Sequence, residues 1–289
     1  MTTLAAICRP QVPPERLREL ARAADDCGLD ELWLWEDCFW GGGASAAAAV
    51  LAWTDRLRVG IGVLPVPLRN VALTAMETAM LHRLFPGRVT VGVGHGVQDW
   101  MGQVGVRPES PLTLLREYLG ALRALLRGER VTTNGRYVRL DQVALDWPPT
   151  SVPAIFAAAA GPRTLRLSGE LADGTVMDSS VTSAALREAR QLIDQGRAEA
   201  GRTDPHPLVV YMRAFAGTDG TQRLAQAIRD QRVDPASAAA AGAPSEIAAV
   251  IESWARDGAD TVALYPPSDD SDPVAFVRFV AEKVRPLVN

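Results

Sequence analysis

The strongest constraint on the fold of this chain is a repeated alternation in its sequence. Eight short, mostly apolar runs recur along the 289 residues, and each is followed by a segment with apolar residues at helical spacing. A short continuous apolar run is typical of a strand buried on both faces of a parallel sheet. The alternation therefore predicts an α/β fold, a (β/α)8 TIM barrel with an outer ring of helices. The predicted strands are residues 4–8, 32–35, 57–64, 88–93, 154–158, 175–177, 208–216 and 261–265.

An open, doubly wound sheet is the alternative fold for this alternation. That fold holds a dinucleotide at a Gly-x-Gly-x-x-Gly turn after its first strand, and no such turn is present at that place in this chain. Residues 131–140 predict a small inserted hairpin that turns at Asn134 and Gly135. The Ala-rich residues 236–243 predict a loop, and we expect eight strands, eight helices and one domain over residues 1–289.

Composition narrows the class of partner. Hydrophobic residues make up 47% of the chain, charged residues make up 22%, and the formal net charge is -4. These values are typical of a packed globular protein, and the lack of a run of Lys and Arg argues against nucleic acid or a membrane surface as partner. We therefore expect a small-molecule partner.

The cysteines and known catalytic motifs add further expectations. The chain has three cysteines, Cys8, Cys27 and Cys38, and an odd number leaves at least one of them unpaired, which favours a reducing compartment. The sequence indicates no export segment and no membrane-spanning segment. We expect a cytoplasmic protein. The motifs of a metal site and of a common serine hydrolase, such as Cys-x-x-Cys and Gly-x-Ser-x-Gly, do not occur in the sequence.

Two segments that follow predicted strands are built from very small residues. Gly94, His95 and Gly96 follow the fourth strand, and residues 159–162, with the sequence Ala-Ala-Gly-Pro, follow the fifth. In a TIM barrel the reactive groups lie at these C-terminal strand ends. Glycine lets backbone amides approach a ligand, and a slim turn before a helix is typical of a phosphate site. The two loops therefore suggest a phosphate site, with simple packing of glycine against neighbouring strands as the alternative.

Three other side chains at the strand ends are candidates for proton transfer or nucleophilic chemistry. His95 titrates near neutral pH when unperturbed, Asp37 offers a carboxylate, and Cys38 offers a weak acid or a nucleophile. The structural alternatives are a hydrogen-bonded histidine, a capping carboxylate and a small buried thiol. Aromatic residues that could stack on a planar ring at the same rim are Trp33, Trp35, Phe39, Trp40 and Trp100.

Five segments of the chain carry a resemblance to a known family. Their sequences are GLDELWLWED (28–37), RVGIGVLPVPLRN (58–70), RVTVGVGHG (88–96), PAIFAAAAGPRTLRLSGELAD (153–173) and GADTVALYPP (258–267). Together they resemble the luciferase-like monooxygenase superfamily, and within it the branch that uses coenzyme F420, a deazaflavin. The resemblance implies a (β/α)8 barrel with an insertion, often a homodimer, that holds a flavin or deazaflavin at its C-terminal mouth.

The resemblance also implies roles for single residues. The bond between Gly62 and Val63 matches a non-proline cis peptide that supports the tricyclic ring from behind. Asp37 matches an acidic position beside the deazaflavin, and His95 matches a phosphate contact. The implied cofactor-binding residues are Asp37, Gly62, Val63, Leu64, Pro65, Gly94, His95, Gly96, Ala159, Ala160, Gly161 and Pro162. The catalytic candidates are Asp37, Cys38 and His95.

The chain departs from the branch at three positions. Cys38 stands where the branch commonly has a histidine proposed to act in proton transfer. Val97 and Val181 stand where its sugar phosphate dehydrogenases have Glu and Lys, so oxidation of a sugar phosphate is not expected. The sequence predicts an oxidoreductase that transfers a hydride between coenzyme F420 and a small organic substrate. The alternatives are a monooxygenase that uses FMN and a barrel that has lost turnover.

Overall fold

The computed structural model describes residues 2–268, 270 and 272–288, and a closed barrel of parallel strands lies at its centre. The strands of these residues are β1 (Thr3–Cys8), β2 (Glu31–Leu34), β3 (Arg58–Pro65), β4 (Val89–Gly94), β5 (Val131–Asn134), β6 (Arg139–Val143), β7 (Ile155–Ala158), β8 (Gly174–Met177), β9 (Leu208–Ala216), β10 (Ala239–Gly242) and β11 (Thr261–Tyr265). The barrel runs in the order β1, β2, β3, β4, β7, β8, β9 and β11, and β11 pairs with β1 to close it. The prediction of a TIM barrel is confirmed.

Helices follow the barrel strands and pack around them. They are α1 (Leu17–Asp26), α2 (Gly43–Trp53), α3 (Val71–Leu84), α4 (Gln98–Gln103), α5 (Pro111–Leu126), α6 (Pro162–Leu171), α7 (Ser183–Glu199), α8 (Gly220–Arg229), α9 (Pro244–Arg256) and α10 (Pro273–Phe279). Side chains cap the N-termini of several of these helices by accepting hydrogen bonds from backbone N–H groups in the first turn. Asn70 accepts the Ala72 N–H at 2.9 Å at the start of α3, and Thr182 accepts the Ala185 N–H at 3.1 Å at the start of α7. In this part of the chain, no helix is both long and apolar enough to cross a membrane.

Two apolar layers result from the alternation of side chains along each strand. Residues such as Leu4 and Ile61 face outward and join the large core between the barrel and the helices. Residues such as Ile7, Trp33 and Tyr211 face inward and fill the lower part of the barrel. The mouth above this inner cluster is where a ligand site is expected in this fold.

A bulge interrupts the alternation in β3. The pairing of β3 with β4 shifts between Ile61 and Leu64, so one additional residue of β3 is accommodated there. As a result Gly62 and Val63 both face into the barrel: Gly62 lies against the inner residue Tyr211, and Val63 packs on the inner cluster. Leu64 then faces the outer core.

The prediction of eight strands and eight helices undercounts the described elements. Residues 239–242, predicted to be in a loop, form β10, which pairs with the outer end of β9 from Arg213 to Ala216. The reason is that β9 extends beyond its partners in the barrel, and its last backbone groups need hydrogen-bond partners. Helices α4 and α9 were also not predicted.

The predicted hairpin insertion is confirmed as β5 and β6. The two strands are antiparallel, and the Gly135 N–H donates to the Val138 carbonyl at 2.9 Å within the turn. The carboxylate of Glu117 on α5 accepts the backbone N–H groups of Tyr137 and Val138 at 2.8 and 3.0 Å. The insertion is therefore anchored to the outer helical layer, outside the barrel.

Candidate active site

A cavity of about 440 Å³ lies at the C-terminal ends of the barrel strands. Its wall is mostly apolar, with a few polar side chains from the segments that follow β2, β4 and β8. This combination of apolar wall and few polar groups is typical of a small-molecule site. Within the described residues, no group of three or more His, Cys, Asp and Glu side chains is arranged to hold a metal ion.

Gly94 lies behind the side of the cavity formed by β3, β4 and β7, and it has no side chain that would push the wall residues forward. A Cβ atom on Gly94 would lie 2.8 Å from Val63 Cγ2 and 3.0 Å from Ala158 Cβ, and both of these neighbours line the cavity. Real Cβ atoms are almost never that close to a neighbour. The wall here is therefore backbone with short side chains, against which a flat ligand can lie.

Tyr211 supports this wall from inside the barrel. Its hydroxyl donates a hydrogen bond to the Gly62 carbonyl at 3.1 Å, and its ring packs against Trp35 with the centroids 5.5 Å apart. Burial raises the pKa of Tyr211 well above its ordinary value, so the hydroxyl keeps its proton. The Gly62–Val63 peptide bond is cis, as the resemblance implies. A second non-proline cis bond, which the sequence did not indicate, joins Cys38 to Phe39.

His95 lines the same cavity and connects it to helix α6. Its Nε2 atom lies 3.2 Å from Oγ1 of Thr164, in the first turn of that helix. Its Nδ1 atom is buried and has no partner within hydrogen-bonding geometry among the described residues. Burial lowers the pKa of His95, and the nearby Pro111 backbone opposes this shift. The imidazole therefore stands neutral at the cavity wall, where it can form a hydrogen bond to a bound ligand.

The N-terminus of α6 is open beside His95. Gly161 is the N-cap residue, no side chain caps the helix, and the direction of its missing side chain is free of atoms within 4 Å. The first N–H groups of a helix carry partial positive charge and attract anions. The His95 imidazole and this helix start therefore fit the phosphate group of a cofactor.

Asp37 and Cys38 line the cavity from the segment that follows β2. Burial raises the pKa of Asp37, and the Arg9 guanidinium partly offsets this. Burial also raises the pKa of the Cys38 thiol, and the negative charges of Glu36 and Asp37 add to the shift. No hydrogen bond between Cys38 and His95 is recorded, and a thiol with a raised pKa is a weak nucleophile.

Glu36 also lines the cavity, but its carboxylate is already bound within the protein. It accepts the Gly43 N–H at 2.6 Å at the start of α2, and Nη1 of Arg69 at 2.9 and 3.1 Å. Arg69 also forms an ion pair with Glu77. This network fixes the loop after β2 to α2 and α3, so Glu36 has a structural role here.

The structure brings most of the predicted site residues together. The cavity is lined by Asp37, Cys38, Gly62, Val63, Pro65, His95, Gly96, Ala159 and Ala160, and Gly94 lies behind its wall. Leu64 faces away into the outer core, and Gly161 and Pro162 are exposed at the start of α6. Of the predicted aromatic rim, Trp35 and Trp100 line the cavity, Trp33 lies in the inner cluster, and Phe39 and Trp40 are largely exposed.

Sequence reasoning missed several residues of the site. Met101, Val176, Asp178 and Tyr211 all line the cavity. The inward-facing positions of β8 and β9 could have been found from the two-residue alternation along those strands. Met101 lies on α4, a short helix that the sequence pattern did not indicate.

A closed parallel barrel with a cavity at the C-terminal mouth defines the chain as a ligand-binding TIM barrel. A sequence profile of the family described as luciferase-like monooxygenase matches residues 2–263. The chain belongs to this family.

A comparison with known proteins adds particular relatives. The chain is 32% identical over 211 residues to the 5,10-methylenetetrahydromethanopterin reductase of Methanolobus tindarius. That alignment covers 73% of this chain and 64% of the relative, so the chain spans less than two thirds of the relative's length.

Two solved structures share the fold across the whole chain. An F420-dependent secondary alcohol dehydrogenase in complex with an F420-acetone adduct has a TM-score of 0.88 and 19% identity, with 100% of this chain and 99% of that chain covered. The oxygenating constituent of 3,6-diketocamphane monooxygenase from Pseudomonas putida, in complex with FMN, has a TM-score of 0.78 and 17% identity, with 100% and 99% covered. At these identities the likeness supports the fold.

Proposed function

We propose that this protein is an oxidoreductase that transfers a hydride between coenzyme F420 and a small organic substrate. The main support is the flat wall at Val63, which Tyr211 backs and which lies in the same cavity as the His95 imidazole. A planar ring and an anionic phosphate fit those two features. The names of the reductase relative and of the F420-dependent dehydrogenase support the same class of reaction.

The residues divide into two groups around the proposed cofactor. The bulge at Gly62 and Val63 would support the ring, and His95 with the first turn of α6 would bind the phosphate. When bound, coenzyme F420 supplies or accepts the hydride at its deazaflavin ring. The chain's own contribution is to orient the ring and to exclude water with the apolar side chains around it.

Asp37 is the residue we infer to hold the proton of the reaction. Reduction of a polar double bond adds a hydride to carbon and one proton to the other atom, and the reverse reaction releases both. Because burial raises the pKa of Asp37, this carboxyl keeps a proton to higher pH than an exposed aspartate does. Tyr211 is not suited to this role, since its hydroxyl is buried and committed to the Gly62 carbonyl.

The alternative is a monooxygenase that uses FMN on the same scaffold, as in the FMN-bound structural relative. Titration of the purified protein with oxidised coenzyme F420 and, separately, with FMN distinguishes the two. We expect tighter binding of F420. Tight binding of FMN with no binding of F420 would overturn the proposal. Reduction of the bound cofactor by an organic hydride donor, faster than in the same solution without protein, would exclude a barrel without turnover.

We also infer a homodimer that forms through α3. Leu73, Met76, Met80 and Leu84 lie at helical spacing on this helix, and between 47% and 61% of each is exposed. Trp147, 72% exposed, borders the same surface, and so large an apolar patch on a helix is typical of an interface. A surface that meets its own copy gives a closed, twofold assembly.

Sedimentation of the purified protein tests this inference. The wild type should sediment as a dimer, and Met80→Asp should shift it to the monomer. Gln191→Asp, at an exposed position on α7, serves as a matched control and should leave the dimer intact. A monomeric wild type would contradict the inference.

The three free cysteines, Cys8, Cys27 and Cys38, support a reducing compartment, and we propose the cytoplasm.

A further inference from the structure

An arc of exposed apolar side chains lies at one side of the barrel mouth. Its members lie in the segments that connect β2 to α2, β3 to α3 and β4 to α5, and between 37% and 62% of each is exposed. They are Phe39, Trp40, Leu68, Val97, Val104 and Val106, named here the apolar arc. Among the described residues, the segments that connect the other barrel strands to their helices contain no exposed large apolar side chain. Because β2, β3 and β4 are neighbours in the barrel, the arc covers a single side of the mouth.

Hydrogen bonds join the arc to the wall of the active-site cavity. Val97 itself lines that cavity, as do Trp100 and Met101 on α4. The Val104 N–H donates to the Trp100 carbonyl at 3.3 Å. The Val106 N–H donates to the Met101 carbonyl at 2.9 Å. The loop after α4 is therefore folded back onto two residues of the cavity wall, and the apolar surface continues from the cavity to its opening.

The segments after β2 and β3 adjoin the same wall. The Trp40 N–H donates to the carbonyl of Asp37, a residue that lines the cavity, at 3.0 Å. Leu68 and Val106 line one further cavity of about 500 Å³, so the segments after β3 and β4 meet there. The arc therefore borders the opening of the active-site cavity along β2, β3 and β4.

The charges of the cavity wall disfavour an anionic substrate. Glu36, Asp37 and Asp178 line the cavity, and among the described residues no lysine or arginine lines it. The Glu36 carboxylate is bound to Arg69, whereas the carboxyl groups of Asp37 and Asp178 face a ligand without a cation in the wall. A second anion, beside the phosphate proposed to bind at His95, would be repelled there. A charge of either sign on the apolar arc would also lose its water, so the arc and the wall together favour an uncharged substrate.

The size of the cavity indicates that a substrate would use the arc. A volume of about 440 Å³ lies in the lower half of the range that holds one drug-sized molecule. With a tricyclic ring in place, little of that space is left, so part of the substrate would lie at the opening. A protein partner on the same surface would close that opening, which favours the substrate as the occupant of the arc.

We propose that the substrate of this enzyme is an uncharged, hydrophobic molecule whose apolar part lies on the apolar arc. Its reacting group would lie in the cavity near Asp37 and the proposed cofactor ring, and its apolar part would extend over Val97 toward Val106. The reaction part of this inference rests on the proposed function. The apolar ligand site itself depends only on residues of the chain.

Calorimetric titration with straight-chain 2-ketones of five to nine carbons tests the arc. The protein is first saturated with oxidised F420, which cannot give a hydride to a ketone, so binding is measured without turnover. Because each methylene on the arc removes apolar surface from water, we expect the affinity to rise about two- to fourfold for each added carbon. Octanoate, a carboxylate with the chain length of 2-octanone, should bind about tenfold more weakly than that ketone. Affinity that does not depend on chain length, or equal affinity for octanoate and 2-octanone, would overturn the proposal.

Three valine variants separate the arc from the rest of the surface. Val97→Asp and Val106→Asp place a charge in the arc, so the affinity gained with each carbon should be lost. Val97 is the N-cap residue of α4, a position that favours aspartate, so this helix should be retained. Val152→Asp is the matched control, because Val152 is exposed and precedes β7, at the other end of the barrel, and its gain should equal that of the wild type. A gain that survives in both arc variants, or that Val152→Asp also removes, would refute the arc.

Titration with F420 alone separates this inference from the proposed function. If F420 does not bind, the proposed function is wrong, and the ketone titration of the cofactor-free protein then decides on the arc by itself. If F420 binds but ketone affinity is independent of chain length, the arc is refuted and the proposed function stands. If Val106→Asp changes the sedimentation of the protein from dimer to monomer, the arc is an interface between copies of the chain and the proposal is refuted.

Discussion

Replacing Gly94 with alanine tests the open wall of the cavity with a single methyl group. The new Cβ would lie 2.8 Å from Val63 Cγ2 and 3.0 Å from Ala158 Cβ, whereas carbon atoms pack best at about 3.5–4.0 Å. Neither neighbour has a flexible end that could move aside, so backbone must shift. Overpacking of this kind costs about 1–3 kcal/mol, and we expect the free energy of unfolding to fall by about 2 kcal/mol. Val63 and Ala158 line the cavity, so their displacement takes space from a planar ligand, and the dissociation constant for the cofactor should rise by about tenfold or more.

The same substitution at Gly120 provides a matched control. Gly120 is exposed on α5, and a Cβ atom there would meet nothing within 4 Å. Alanine stabilises the interior of a helix relative to glycine, so Gly120→Ala should gain about 0.5–1 kcal/mol and bind the cofactor as the wild type does. Urea unfolding and titration with F420 measure both effects. If Gly94→Ala matches Gly120→Ala in stability and in affinity, the wall at β4 does not limit the site and the reasoning fails.

Three further predictions follow from individual side chains. His95→Ala should weaken cofactor binding or slow turnover by about tenfold, and unchanged values for both would remove this residue from the mechanism. Tyr211→Phe keeps the aromatic packing but leaves the Gly62 carbonyl without its donor, so urea unfolding should show a loss of about 1–3 kcal/mol, and no loss would mean that the carbonyl finds another partner. Burial and neighbouring positive charges lower the pKa of His206 to about 4, so the unfolded chain takes up a proton at about pH 6.5 while the folded protein does not. Stability should therefore fall as the pH drops from about 6.5 to about 4, by up to about 1.4 kcal/mol per pH unit from this group, and His206→Gln should flatten the profile between pH 7 and pH 5.

The barrel could be predicted because its strands are buried on both faces and carry continuous apolar runs. The run 208–216 corresponds to all of β9, and 261–265 to all of β11. The pattern failed at β10, where Ala239–Gly242 contains only alanine and glycine and has no apolar side chain large enough to distinguish a strand from a loop. The extent of the single domain, residues 1–289, stays a prediction.

The site could be predicted only where a resemblance or a strand end pointed to it. The glycine loop at His95 was found, but its contact with Thr164 joins residues 69 positions apart and depends on the closed barrel. The same holds for Tyr211 and Gly62, which are 149 positions apart. Spacing along the chain predicts which face of an element a residue occupies, whereas it does not predict which distant residue lies opposite.

The bulge in β3 changes which residues of the strand, odd-numbered or even-numbered, face the helices. Before it, the odd-numbered residues Val59 and Ile61 contact the helices, and after it the even-numbered Leu64 does so, which leaves the odd-numbered Pro65 to line the cavity. A regular strand of the same length without the bulge would instead turn Leu64 inward and Pro65 toward the helices. The isobutyl group now buried beneath α2 would then project into the chamber, so the bulge determines the capacity of the chamber as much as the identity of the residues that line it does.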